Sequence, residues 1–159
     1  MLIPLPGKRL PMTAQHELLP EERASITHKF EIAEHEGYVT VGFYHDGRIG
    51  EVQIVMGNRM GEPLRALVDA VSASVSIAIQ HGVPLDIFVD KFKFTRFEPA
   101  GFTGNADVPN SSSILDYVFK WIENRFPGGK KSVDDWKLSG VEDSPQTKPA
   151  ERPEKDQGE

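Results

Sequence analysis

An α+β fold is predicted for this 159-residue chain: an antiparallel sheet, a meander of about three or more strands, with two main helices packed on one face. Three observations lead there. Residues 27–56 alternate apolar and polar side chains with turn residues between the runs. Residues 63–81 and 112–126 instead repeat apolar side chains at helical spacing. The strands come before the helices, which favours segregated layers over βαβ units.

Residues 1–23 form a proline-punctuated arm, in which Leu18-Leu19-Pro20 offers a few apolar contacts to a core. From Thr27 the period is two: Phe30 and Ile32 alternate with Lys29, Glu31 and Ala33, as a half-buried strand requires. Glu36-Gly37 is read as the first turn, before the aromatic and β-branched run Tyr38 to Tyr44. His45-Asp46-Gly47-Arg48 is the strongest hairpin signal, since Asp-Gly tolerates positive φ. Ile49 to Met56 is the third strand, with Val52 and Ile54 on one face. Tyr38, Phe43 and Tyr44 are too many large aromatics for one small core, so the sheet's other face is expected to serve a partner or a homodimer.

Pro63 suits a first helical turn, and Leu64, Leu67, Val68, Val71, Val75 and Ile79 form one stripe. Arg65, Asp69, Ser72, Ser76 and Gln80 are assigned largely to the rest of the surface, and Gly82 and Pro84 end the helix. Leu85, Phe88, Val89 and Phe92 keep helical spacing, whereas residues 92–97 alternate like a strand. Residues 98–110 are a loop rich in Gly, Pro and Asn. Ser113 and Asp116 give a capping-box-like start to the second main helix, whose stripe is Ile114, Leu115, Val118, Phe119 and Ile122. The domain is therefore placed at 24–127, a loosely docked segment carrying Trp136 and Leu138 at 128–139, and a disordered acidic tail at 140–159.

Composition removes several chemistries. With no cysteine, the chain offers no disulfide, thiolate metal site, iron–sulfur cluster or thiyl radical of its own. A formal charge of -6 disfavours nucleic acid and anionic membranes, and the basic spots at Lys91, Lys93, Arg96 and at Lys130-Lys131 are too small to reverse that. The proline-broken start is no signal peptide and no apolar run spans a membrane, so a cytoplasmic location is expected. Asn110-Ser111-Ser112 fits a glycosylation acceptor only by chance on that view. Gly129-Lys130-Lys131-Ser132 holds only part of a P-loop, and no other nucleotide, zincin or hydrolase motif occurs.

Of the five histidines, His28 and His35 lie seven apart, which on one strand means opposite faces. His45 sits in a turn and His81 near a helix C-terminus, where it reads as a cap. A metal site from His28, His35 or His45 with Glu36 or Asp46 is selected by no spacing, so no metal is assigned. The loop Arg96 to Asn105 combines charge, aromatics, glycine and polar groups. Its bland reading is structural, with Arg96 paired to Glu98 or another carboxylate; its functional reading is a ligand or partner surface. The candidate binding residues are Arg96, Glu98, Thr103, Asn105, His28 and His35, and no catalytic residue is assigned.

Many short segments occur in a recognisable order: Leu19-Pro20 with Arg23, Ser25 to Phe30, His35-Glu36-Gly37-Tyr38, Thr40-Val41-Gly42, Asp46-Gly47 and Gly50-Glu51. Gly82-Val83-Pro84-Leu85, Lys91-Phe92, Arg96-Phe97-Glu98-Pro99 and Ser113 to Phe119 continue the series. Together, from about Leu19 to Phe126, they resemble the TSCPD-type domain that follows the catalytic barrel in adenosylcobalamin-dependent, class II ribonucleotide reductases. The resemblance implies a link to DNA-precursor synthesis. It carries over no catalytic residue, because the family's radical and reducing cysteines, its barrel and its cysteine-rich tail have no counterpart here, and the loop Gly57 to Glu62 departs from the pattern. Three readings follow: an accessory module docking on a reductase catalytic chain, with adenosylcobalamin present only through that partner; an independent module binding a nucleotide or other small ligand through Arg96 to Asn105; or an enzyme of unrelated chemistry using His28, His35 or Glu98.

Overall fold

The structure, a computed structural model, describes residues 15–130. The expectations for the loosely docked segment beyond Lys130, for the tail and for the first part of the arm lie outside the described residues. The predicted α+β architecture is present: a three-stranded antiparallel sheet with three helices.

The sheet is built from β1 (Ser25–Ile32), β2 (His35–Phe43) and β3 (Ile49–Met56) in the order β1-β2-β3. One face places Phe30 and Ile32 beside Val39, Val41 and Phe43 and beside Val52, Ile54 and Met56, all buried. The opposite face carries Lys29, Glu36, Tyr38, Thr40 and Gln53, so Tyr38 points outward while Phe43 and Tyr44 enter the core. On that outer face Tyr38 donates to Glu36 at 2.8 Å and Lys29 pairs with Glu36 at 2.6 Å.

The first hairpin turns at Ala33-Glu34, not at Glu36-Gly37. Both turn residues have positive φ (46° and 68°), the geometry a two-residue hairpin demands. Gly37 is instead a packing glycine inside β2: a Cβ there would lie 2.6 Å from both the Met56 sulfur and the Phe30 ring. Asp46-Gly47 forms the second turn as expected, with Gly47 at φ 83°.

α1 (Glu62–Gln80) packs along β3, and Val68 and Val75 join the core. Its polar stripe faces outward at Arg65 and Asp69 but turns toward β3 from Ser72 onward. Ser72 accepts from the Ile54 N–H at 3.1 Å, and Ser76 both accepts from the Val52 N–H and donates to the Val52 carbonyl at 3.0 Å. Gln80 donates to the Gly50 carbonyl at 3.1 Å. Four helical residues rise about 6 Å and two strand residues about 6.6 Å, so this stripe matches alternate residues of β3. The helix thereby satisfies backbone groups at the edge of β3 that no further strand pairs, which corrects the assignment of these side chains to the outer surface.

α2 (Leu85–Phe92) ends before residues 93–97, which form no strand. β4 (Gly101–Phe102) pairs with β5 (Asn110–Ser111) and pins the long loop, whose Phe102 carbonyl accepts from the Ala33 N–H at 3.0 Å. α3 (Ile114–Arg125) closes the core with Tyr117, Val118, Phe119 and Ile122, each 0–1% exposed. Ser113 caps it, accepting from the Asp116 N–H at 3.0 Å. The arm is fastened mainly by polar contacts: Glu17 N–H to the Gln80 carbonyl, Tyr44 hydroxyl to the Glu17 carbonyl, and Glu17 to Arg48.

Candidate functional site

Three of the six predicted site residues come together: His28 and Asn105 at one hydroxyl, and Thr103 against the Asn105 backbone. The His28 Nε2 lies 2.8 Å from the Tyr117 hydroxyl, and the Asn105 amide donates to that same oxygen at 2.9 Å. The Asn105 carbonyl oxygen accepts from the Asp107 N–H at 2.9 Å, which fixes the amide's orientation. Asn105 donates to the Tyr117 oxygen, which leaves the phenol hydrogen free to point at His28 Nε2, a pairing that suits a neutral ring protonated on Nδ1. Burial pushes the His28 pKa down and the Tyr117 pKa up, which favours this arrangement on both sides. The His28 ring also stacks on Trp121, with centroids 4.6 Å apart, and Tyr117 stacks on Phe30 at 4.8 Å.

Chemically this cluster joins β1, α3 and the 103–108 loop. In that pairing the Tyr117 hydroxyl occupies the ring's basic lone pair, which describes a structural clasp better than acid–base machinery. Thr103 is buried and donates to the Val108 carbonyl while accepting from the Asn105 N–H at 3.2 Å, so it shapes the loop from within.

The other predicted residues stay apart. His35 lies at the start of β2 and contacts the Ala33 carbonyl at 3.0 Å. His28 and His35 in fact share the core-facing side of the ladder, because a two-residue turn separates their strands, but they sit at different levels along it. Glu98 accepts from the Ala100 N–H at 3.0 Å. Arg96 is exposed and makes no ion pair with Glu98 or any other carboxylate among the described residues. Among the described residues no group of three or more His, Asp or Glu is arranged to hold a metal ion.

Asp116 carries the heaviest polar load and was anticipated only as a capping residue. Fully buried, it accepts from the Phe94 N–H at 2.6 Å, the Ser112 N–H at 2.9 Å, the Ser111 and Ser112 hydroxyls at 3.0 Å, and Lys120 at 2.9 Å. Burial alone would raise its pKa, but Lys120 and these donors outweigh it and hold the carboxyl at about 2. The Phe94 N–H that Asp116 grips belongs to a residue at φ 67°, a left-handed conformation that costs a non-glycine residue roughly 1–2 kcal/mol.

A cleft of about 630 Å³ opens between α2, the C-terminal end of α3 and the 3₁₀ turn Pro127–Gly129. Val89, Ile122 and Phe126 floor it, and Arg48, Glu123 and Lys130 stand among its walls. Sequence reasoning missed it because its walls come from segments far apart in the chain.

The TSCPD domain family matches residues 12–126, and the chain belongs to that family. Its relatives include a vitamin B12-dependent ribonucleotide reductase of Rhodopirellula baltica, 46% identical over 115 residues, which are 72% of this chain and 11% of that protein. The proteins of the same name from Bradyrhizobium diazoefficiens and Agrobacterium fabrum are 42% and 41% identical, over 71% and 74% of this chain and 9% of each relative. The chain thus spans about a tenth of the length of the curated relatives it matches. No solved structure matches it.

Proposed function

We propose that this chain is a non-catalytic accessory module that docks on the catalytic chain of a cobalamin-dependent ribonucleotide reductase. The observation that carries the reading is the family match over 12–126, a region that corresponds to about a tenth of relatives named vitamin B12-dependent ribonucleotide reductase. The chemistry agrees: the chain has no cysteine to bear a thiyl radical or deliver reducing equivalents. Adenosylcobalamin and the nucleotide substrate belong to the partner, and the complex works in the cytoplasm on DNA precursors. Tagging the protein in its host, recovering it gently and identifying its companions by mass spectrometry tests this. A reductase catalytic chain in near-stoichiometric amount is expected, and its absence from cells making reductase would overturn the reading.

The cleft beside α2 favours a second reading, an independent small-ligand module. Its volume of about 630 Å³ falls within the range of small-molecule sites, and an apolar floor with charged walls suits a ligand such as a nucleotide. Thermal stabilisation by a nucleotide with no reductase present would support it. A homodimer through the outer sheet face is a separate proposal that rests on the exposed Tyr38 and Val55. A sedimentation mass of one chain would remove it.

A further inference from the structure

We propose that the cleft beside α2 is the seat of this chain's own continuation, residues 132–138, with Trp136 as the plug. The inference does not depend on the accessory reading. It competes with the small-ligand reading of the same cleft, because a plugged cleft is not an open site.

The path of the chain leads to this seat. Phe126, at the end of α3, floors the cleft, and Pro127, Gly128 and Gly129 stand in its wall. Gly128 and Gly129 hold φ values of 72° and 69°, a turn that brings Lys130 into an antiparallel bridge with Arg48, itself a wall residue. The chain therefore borders the cleft continuously from Phe126 to Lys130 before residues 132–138 begin. Six residues beyond Lys130 reach about 20 Å at full stretch, which keeps Trp136 within range of the whole cleft. A tether this short holds its end at an effective concentration on the order of millimolar, so a modest contact is enough to seat it.

The chemistry of the cleft fits the same occupant. Val89, Ile122 and Phe126 floor it, and Ile79, Val83 and Leu85 are half-buried around that floor. Trp136 and Leu138 are the largest apolar side chains beyond Lys130, and an indole covers about 150–250 Å² when it docks. The walls carry three carboxylates, Asp86, Asp90 and Glu123, against two cations, Arg48 and Lys130, and Arg48 already pairs with Glu17 and Asp46. That balance weighs against a phosphate-bearing ligand and accepts an uncharged ring. The charges flanking Trp136 complement those left over. Asp134-Asp135 precede it and Lys137 follows, while Lys130 and the exposed Asp90 make no ion pair among the described residues.

The test labels the full chain with 5-fluorotryptophan, so that fluorine NMR shows one resonance each for Trp121 and Trp136, assigned with Trp136→Phe. In the parent, the Trp136 resonance is expected to stand away from its position in the urea-unfolded chain and to resist a soluble paramagnetic quencher. Leu85→Glu, which puts a charge into the cleft at the first residue of α2, is expected to return that resonance to the unfolded position. The Trp121 resonance stays in place if the fold is intact, and the milder Leu85→Ala is expected to give a partial shift. Trp136→Ser is expected to open the cleft and raise the fluorescence of an added apolar dye, bis-ANS, several-fold. A parent Trp136 resonance at the unfolded position, or one that Leu85→Glu and Leu85→Ala both leave unmoved, would overturn the seat. So would a Trp136 that is quenched in the chain alone and protected only when ATP or the reductase catalytic chain is added. None of these outcomes bears on whether the chain docks on a reductase.

Discussion

At the scale of single residues, Asp116 and His28 show how far burial alone fails to set protonation. Asp116 is ionised although buried, because four uncharged donors and Lys120 surround it. Its folded pKa of about 2 lies below the ordinary 3.8, so its contribution is fully present above pH 3.8 and is lost as the pH falls toward 2. Asp116→Asn is therefore expected to flatten the acid limb of the stability curve in that window, as read by denaturant unfolding at a series of pH values. Asp116→Ala leaves buried donors unpaired and is expected to lower stability by roughly 3 kcal/mol or more at neutral pH. His28 behaves in the opposite sense. Its folded pKa lies below 6.5, so the unfolded chain takes up a proton first and stability falls as the pH drops below 6.5. Replacing it, as in His28→Phe, is expected to remove that slope. An NMR titration of the His28 ring that midpoints at or above 6.5 would contradict the clasp drawn above.

At the scale of elements, the contact between α1 and β3 is the least ordinary. Ser76→Ala would leave both the N–H and the carbonyl of Val52 without partners, and Ser72→Ala only the Ile54 N–H. Costs of about 1–3 kcal/mol per orphaned group, partly offset by alanine's better helix propensity, predict that Ser76→Ala destabilises more than Ser72→Ala in urea unfolding. This contact also marks where sequence reading stops. The strands and both long helices were legible because each advertises its own period over many residues. A serine on a helix, by contrast, reads as surface whether it meets water or a strand edge, since only the neighbour decides. Gly37 read as a turn because nothing local reveals that Phe30 and Met56 leave no room for a side chain. The clasp was half legible: His28 and Asn105 stood out as polar residues in unusual company, while Tyr117 was hidden within an apolar helix stripe.

At the scale of the whole molecule, one cluster of buried side chains runs through the sheet and all three helices, so the described part is expected to unfold as a unit. With two tryptophans in the chain, a Trp136→Phe background leaves Trp121 as the sole indole reporter. Its fluorescence and the far-ultraviolet circular dichroism are expected to share one transition midpoint; two separated midpoints would show that α3 and the sheet melt independently. The serine-lined flank of α1 has a further consequence for how copies could misassemble. Because β3 is closed to an incoming strand, any stacking of copies through β1 would end at a pair, with both outer borders already sealed by helices. Fibril growth needs two open borders per copy, and this domain offers at most one.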